Sequence, residues 1–163
     1  MTRLHRSAVS GRFVSAEKAA ADPERHVAEA VPDPLRVERM NGHFEKLHLG
    51  DGRVVHRFAA ADGAEADPHD HPWPFSSTII AGGYVEEVFS LDRPLDPPQA
   101  IERRSGDTFR NEAGTIHRIV RLTAPECWTV IRPGAAERTP GFYRFTSDGV
   151  LHRLWHETEW RLL

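Results

Sequence analysis

From Leu35 onward the chain is written in short alternations of apolar and polar residues, each cut off by a turn signal. Period-two alternation suits an extended segment, which puts every second side chain on one face, whereas a helix needs a repeat near 3.6. The predicted strands are residues 35–40, 44–49, 54–59, 77–81, 84–90, 100–104, 115–122, 127–132, 141–146 and 150–154. Asn41-Gly42 and Asp51-Gly52 separate the first three, and both dipeptides favour tight hairpins. Residues 92–99, DRPLDPPQ, carry three prolines and read as a loop. Gly106 opens a further short strand that ends before Gly114. Strands this short, at turn-marked spacing, predict an all-β sandwich or barrel.

Residues 1–34 follow a different grammar. The stretch 15–31 is rich in Ala, Glu and Lys. Ser15 is placed to cap a short helix, and Asp22 with Pro23 to open a second. Pro32 and Pro34 end this N-terminal arm, which is expected to be partly helical or mobile. The tail, residues 155–163, is expected to close as a short helix. The remaining 35–163 then form a single β domain, which suits a chain of 163 residues.

Charge and cysteine content narrow the function. A net charge of -3 provides no electrostatic footprint for nucleic acid or an anionic membrane. No apolar run approaches the roughly 18–20 residues of a membrane-spanning helix, and Met1 to Gly11 lack a signal-peptide core. Cys127 is the one cysteine, so no intrachain disulfide forms and a cytoplasmic setting is expected. The sequence lacks a nucleophile elbow, a glycine-rich phosphate loop and a CxxC pair. A small-molecule substrate is the expected partner.

The chemistry concentrates in histidine. In Pro68-His69-Asp70-His71-Pro72 the flanking prolines favour an extended backbone. In that conformation His69 and His71 project from one face, the beginning of a site for a borderline divalent metal. Gly63 lies six residues before His69, and Gly82-Gly83 follow at a strand end. Later, Gly106 opens a strand, Gly114 makes a tight turn, and His117 sits three residues further on. Two glycine-bounded hairpins can thus deliver three imidazoles to one layer of a barrel.

These spacings resemble the two motifs of the cupin superfamily. The first, G-x5-H-x-H-x3,4-E-x6-G, is matched by Gly63, His69, His71 and Gly83, with Ser76 in place of Glu. The second, G-x5-P-x-G-x2-H-x3-N, is matched by Gly106, Gly114 and His117, with Glu112 for Pro and Arg121 for Asn. The resemblance covers residues 63–121. It implies a double-stranded β-helix, the jelly-roll or cupin barrel, with His69, His71 and His117 as ligands of one divalent metal ion. The missing Glu leaves a three-histidine site similar to those of cysteine dioxygenase-like, gentisate dioxygenase-like and diketone-cleaving cupins. Those use ferrous iron, so a mononuclear non-haem iron dioxygenase, an oxidoreductase acting on a small polar or anionic metabolite, is the implied function. A non-redox isomerase or lyase with Zn, Ni or Mn is the alternative, as is a metal-containing binding module without turnover. Cupins often pair through outer strands or an N-terminal arm, which makes residues 1–34 a candidate homodimer contact.

Other residues are weighed beside this core. Glu86 or Glu87 must face inward on a regular strand, and Glu86 is a candidate to compensate for the lost ligand. Arg121, four residues after His117, is expected to share its face and clamp a substrate anion, or else to lie on an outer face. Trp73, Phe75 and Ser76 are candidate substrate contacts, the two aromatics having core packing as the alternative. Tyr84 and Tyr143 are candidate catalytic hydroxyls or buried core tyrosines. Asp70 reads as a turn carboxylate, with a bond to a ligand imidazole as the alternative. Cys127 reads as an inert core thiol. The remaining barrel histidines, including His43, His48, His56, His152 and His156, read as strand or surface residues.

Overall fold

The computed structural model describes residues 3–7, 13–30 and 35–163. In the arm, β1 (Arg3–Ser7) pairs antiparallel with β2 (Phe13–Val14) and with β3 (His26–Ala30). Between them lies α1 (Ala16–Ala21), whose cap is Ser15: its side chain accepts from the Lys18 N–H. Pro23 opens a single 3-10 turn to Arg25, as its fixed φ allows. The expected second helix goes no further, because β3 follows at once and its backbone groups are satisfied by β1. The proposed stop at Pro32 and Pro34 lies outside the described residues.

The rest of the chain is antiparallel sheet. One sheet contains β4 (Arg36–Arg39), β5 (Phe44–His48), β6 (Val54–Phe58), β7 (Phe75–Ala81), β10 (Thr108–Asn111) and β12 (Cys127–Pro133), in the order β10-β7-β12-β6-β5-β4. The facing layer contains β8 (Gly83–Phe89), β9 (Gln99–Arg104) and β11 (Ile116–Leu122), in the order β11-β8-β9. It is extended by β13 (Gly141–Thr146), β14 (Gly149–Leu154) and β15 (Arg161–Leu162). Asn41-Gly42 and Asp51-Gly52 turn β4 into β5 and β5 into β6, and Gly52 takes a left-handed φ of 80°. The tail is a correction. Residues 161–162 pair with β14 as a strand instead of closing a helix, because the β14 edge offers unpaired backbone groups.

The two layers close over a core that mixes both sheets. Ile79 and Cys127 from one pack with Tyr84 and Ile119 from the other, and Phe58 stands edge-on to Tyr84 at 6.3 Å. A second cluster joins Val54, Phe75 and Ile131, with Trp73 against it. Each fully buried aliphatic side chain here contributes about 1.5–3 kcal/mol. Strands that alternate in this way bury one face inside a jelly-roll barrel. The other face of β5, β6, β7 and β12 is also apolar, with Leu49, Val55 and Ile80 buried. Among the described residues no helix is long and apolar enough to cross a membrane.

Candidate metal centre

The segment Pro68–His71 is held as an extra stretch of strand between β11 and β13. His69 and His117 exchange both backbone hydrogen bonds at 2.9 Å, which makes them a directly opposed antiparallel pair with side chains on one face. On the other edge Tyr143 N–H donates to Pro68 O (2.9 Å) and Asp70 N–H to Gly141 O (3.2 Å). His71, two residues after His69, returns to the same face. His71 N–H donates to Ala113 O (3.0 Å), which ties it to the turn before β11. The motif glycines Gly63 and Gly106 both adopt left-handed φ, 92° and 94°, which a side chain would strain.

The result is a cluster of one ligand atom each from His69, His71 and His117, all within 4.8 Å of one another. The Nε2 atoms of His71 and His117 are 2.8 Å apart. Imidazole nitrogens sharing one divalent ion at about 2.0–2.1 Å stand roughly 3–3.4 Å apart, so a small contraction or expansion seats a metal. Burial, and then the neighbouring His117, push His69 down to about 3. The same two causes hold His71 well below its ordinary value. Both are therefore neutral lone-pair donors at neutral pH, as a metal site requires. The donor set fits a borderline divalent cation.

Glu86 stands behind this face. It is fully buried, and its Oε2 lies 2.7 Å from His117 Nδ1 while Arg103 Nε donates to Oε1 at 2.7 Å. Burial alone would raise this carboxyl, but the bonds and charges of His117 and Arg103 outweigh it and hold it below the usual range. A carboxylate accepting from Nδ1 leaves His117 Nε2 free to face a cation. Glu86 therefore does not replace the missing ligand; it orients one of the three present. Glu87, on the other face, accepts from Arg118 Nε and Nη2. Arg118 also reaches Ala66 O at 2.9 Å and so pins the loop that leads to His69.

Asp70 points away from the imidazoles, as an intervening strand residue must. It is 3% exposed and far from an ordinary turn carboxylate. Its Oδ1 accepts from Gly141 N–H (2.7 Å), and its Oδ2 from the Tyr143 hydroxyl (2.8 Å) and the Arg138 guanidinium (2.9 Å). Tyr143 is thereby committed to Asp70, and burial with this bond pushes its hydroxyl up to about 12. Tyr84 is a core residue: burial first, then Glu86, raise it well above its ordinary value.

Arg121 requires a correction. A bulge in β11 shifts the register, so that Ile119 faces Glu86 but Arg121 faces Val85. The extra residue breaks the alternation, and Arg121 turns to the outer, exposed face. Ser76 is corrected as well, since it is exposed while its neighbours Phe75 and Ser77 are buried inward. Trp73 and Phe75 do line the site. Trp73 stacks on His71 (5.5 Å, 13°) and Phe75 meets it edge-on (4.8 Å, 75°). They also join the core with Val54 and Ile131, so the packing reading of both holds.

Of two further inward residues, the sequence reads His56 only as a strand or surface residue and does not single out Lys46. Lys46 and His56 are register partners on β5 and β6 and share the inner face with Phe44 and Phe58. The period-two pattern was their only signal, and it required knowing which face is interior.

Fold and site together are those of a jelly-roll-type β-barrel with a three-histidine cluster able to hold a metal ion, and its glycine and histidine spacings resemble the cupin motifs. No family model matches the chain, and no curated protein matches it. Among solved structures it is similar to Fe(II) HppE, with a TM-score of 0.48 and 9% identity over 66% of this chain and 60% of that one. The chain thus spans less than two thirds of that protein. It is also similar to Streptomyces Pac13, described as a nucleoside dehydratase, with a TM-score of 0.42 and 17% identity over 69% of this chain and 88% of that one. A third is CapF bound to 3-isopropenyl-tropolone, with a TM-score of 0.46 and 14% identity over 65% of this chain and 31% of that one.

Proposed function

We propose that the protein is a mononuclear metal enzyme in which His69, His71 and His117 hold one divalent ion, and that the ion is Fe(II). The reading rests on one observation: three imidazoles, His117 buried and His69 and His71 half-buried, converge within 4.8 Å, and His117 is oriented by a buried carboxylate. No acidic ligand joins them among the described residues. A three-nitrogen set leaves coordination positions for substrate and dioxygen. Bound ferrous iron supplies dioxygen activation, which makes a dioxygenase of a small polar or anionic metabolite the preferred activity. The chain's own residues do the rest. Trp73 and Phe75 fix the His71 ring and present an apolar wall that excludes water. Glu86 holds the proton on His117 Nδ1, and the Asp70–Tyr143–Arg138 cluster keeps the 68–71 segment in register.

The same donor set suits Zn or Ni, since imidazole ligates these as readily. A non-redox isomerase or lyase is therefore the second reading. Elemental analysis of the purified protein, with His69→Ala, His71→Ala and His117→Ala beside it, separates the cases. The expected result is about one Fe per chain, lost in each variant, with Fe(II)-dependent oxygen uptake once a substrate is supplied. Stoichiometric Zn or Ni with no oxygen uptake supports the second reading. A wild-type protein that takes up no divalent ion overturns both.

A further inference from the structure

The inner face of the six-stranded sheet carries a polar group that the metal centre does not use. His56 Nε2 is buried and has no hydrogen-bond partner among the described residues. The ring packs edge-on against the stacked pair Phe44 (5.0 Å, 81°) and Phe58 (5.8 Å, 85°), so its position is set by packing. A buried polar nitrogen without a partner is destabilising, and a ligand oxygen would relieve that cost.

Lys46 stands opposite His56 in the β5–β6 ladder. Its ammonium lies 5.4 Å from the Phe44 ring centre and forms no ion pair among the described residues. Its register neighbour Glu38 is already engaged by Arg36 (3.1 Å) and His48 (3.0 Å). Burial pulls the lysine down from its ordinary value, with Glu38 opposing that shift.

This pair lies on the inner sheet face that also carries Val54 and Phe75, next to the three-histidine centre through Phe75. Phe75 touches His71 on one side and packs with Val54 on the other, and His56 lies two residues along β6 from Val54, on the same face. An unpaired ammonium beside an imidazole nitrogen without a partner suits a carboxylate: one oxygen meets the cation and the other accepts from the ring.

We propose that Lys46 and His56 form the subsite for a substrate carboxylate, so that the substrate class is a small carboxylic acid whose other end reaches the three-histidine centre. The inference deepens the proposed function and depends on it only for the metal-facing end. Arg121, on the outer face, takes no part.

Malonate is the probe, titrated calorimetrically into wild type, Lys46→Met, His56→Phe and Arg121→Met, each without metal and after Co(II) loading. Wild type and Arg121→Met should bind malonate equally, and Lys46→Met should bind it at least about tenfold more weakly with its Co(II) content unchanged. His56→Phe should weaken binding by a smaller factor. In wild-type protein the His56 imidazole ¹H–¹⁵N resonances should shift on adding malonate, which tests the subsite even if a variant fails to fold. Binding by Lys46→Met equal to wild type, or His56 resonances unmoved at high malonate, overturns the proposal. Failure of wild type to take up Co(II) overturns the metal reading alone, because the metal-free titration still reports the subsite.

Discussion

Glu86 Oε2 lies 2.7 Å from His117 Nδ1, on the side of the ring away from His69 and His71. The carboxylate is fully buried, and Arg103 is its other partner. The pair converts a strand histidine into an oriented donor. Such partners of a metal-binding histidine typically affect metal affinity by about 10–100-fold. Glu86→Gln keeps the shape but loses the charge, and its metal Kd, measured by competition with a chelator, should rise by about that factor. An unchanged Kd would mean that the bond does nothing for the centre.

Asp70 accepts from Tyr143, Arg138 and Gly141, and this cluster ties the His69–His71 segment to β13. Tyr143→Phe removes one hydrogen bond to a buried charge, which costs about 1.5–3 kcal/mol. The midpoint of urea unfolding should fall with an unchanged slope. Metal content should persist, because the tyrosine hydroxyl does not face the imidazoles. Loss of metal with stability intact would contradict this assignment.

Acid should destabilise the metal-free protein in a defined window. Burial, and then Lys46 and His48, push His56 from 6.5 down to about 3. Between those values the unfolded chain binds a proton that the folded chain refuses, so stability is present above pH 6.5 and is lost as pH falls towards 3. His69, also near 3, acts in the same direction. The slope per such group is at most about 1.4 kcal/mol per pH unit. His56→Phe should remove one group's share between pH 6 and 5, before most carboxylates titrate. Denaturant midpoints across that range measure it, and an unaltered slope would show that His56 is protonated in the folded state.

Cys127 is fully buried in the core between the sheets, and burial pushes its thiol up to about 12. Both features suppress the thiolate, which is the reactive form. The native protein should therefore fail to react with a thiol-specific reagent such as DTNB and should release one equivalent of chromophore on unfolding. Fast reaction of the folded protein would place the thiol at an open surface.

Much of the barrel was legible in residue order, because local chemistry specifies it. Alternation defined β5, β6 and β8 to within a residue or so, and Asn41-Gly42 and Asp51-Gly52 marked their hairpins. The brackets Pro68 and Pro72 made the segment between them extended, and extension alone put His69 and His71 on one side. Arg121 shows where such reasoning stops. Its face follows from alternation only if β11 is regular, and the bulge after Ile119 depends on the register against β8. The tail failed for a related reason: residues 161–162 become a strand because β14 has a free edge, and no local propensity encodes that edge.

Sequence by itself determined which segments are extended, where they turn, and that two imidazoles converge. These depend on backbone preference and spacing within a few residues. Only the tertiary structure decided that His117 stands directly opposite His69, that Glu86 backs it, that Asp70 is a buried anchor, and that Lys46 and His56 share the inner face of their sheet. Each of these joins residues from distant parts of the chain. Such contacts form when the two sheets close on each other, and which face of a strand is interior exists only after that closure.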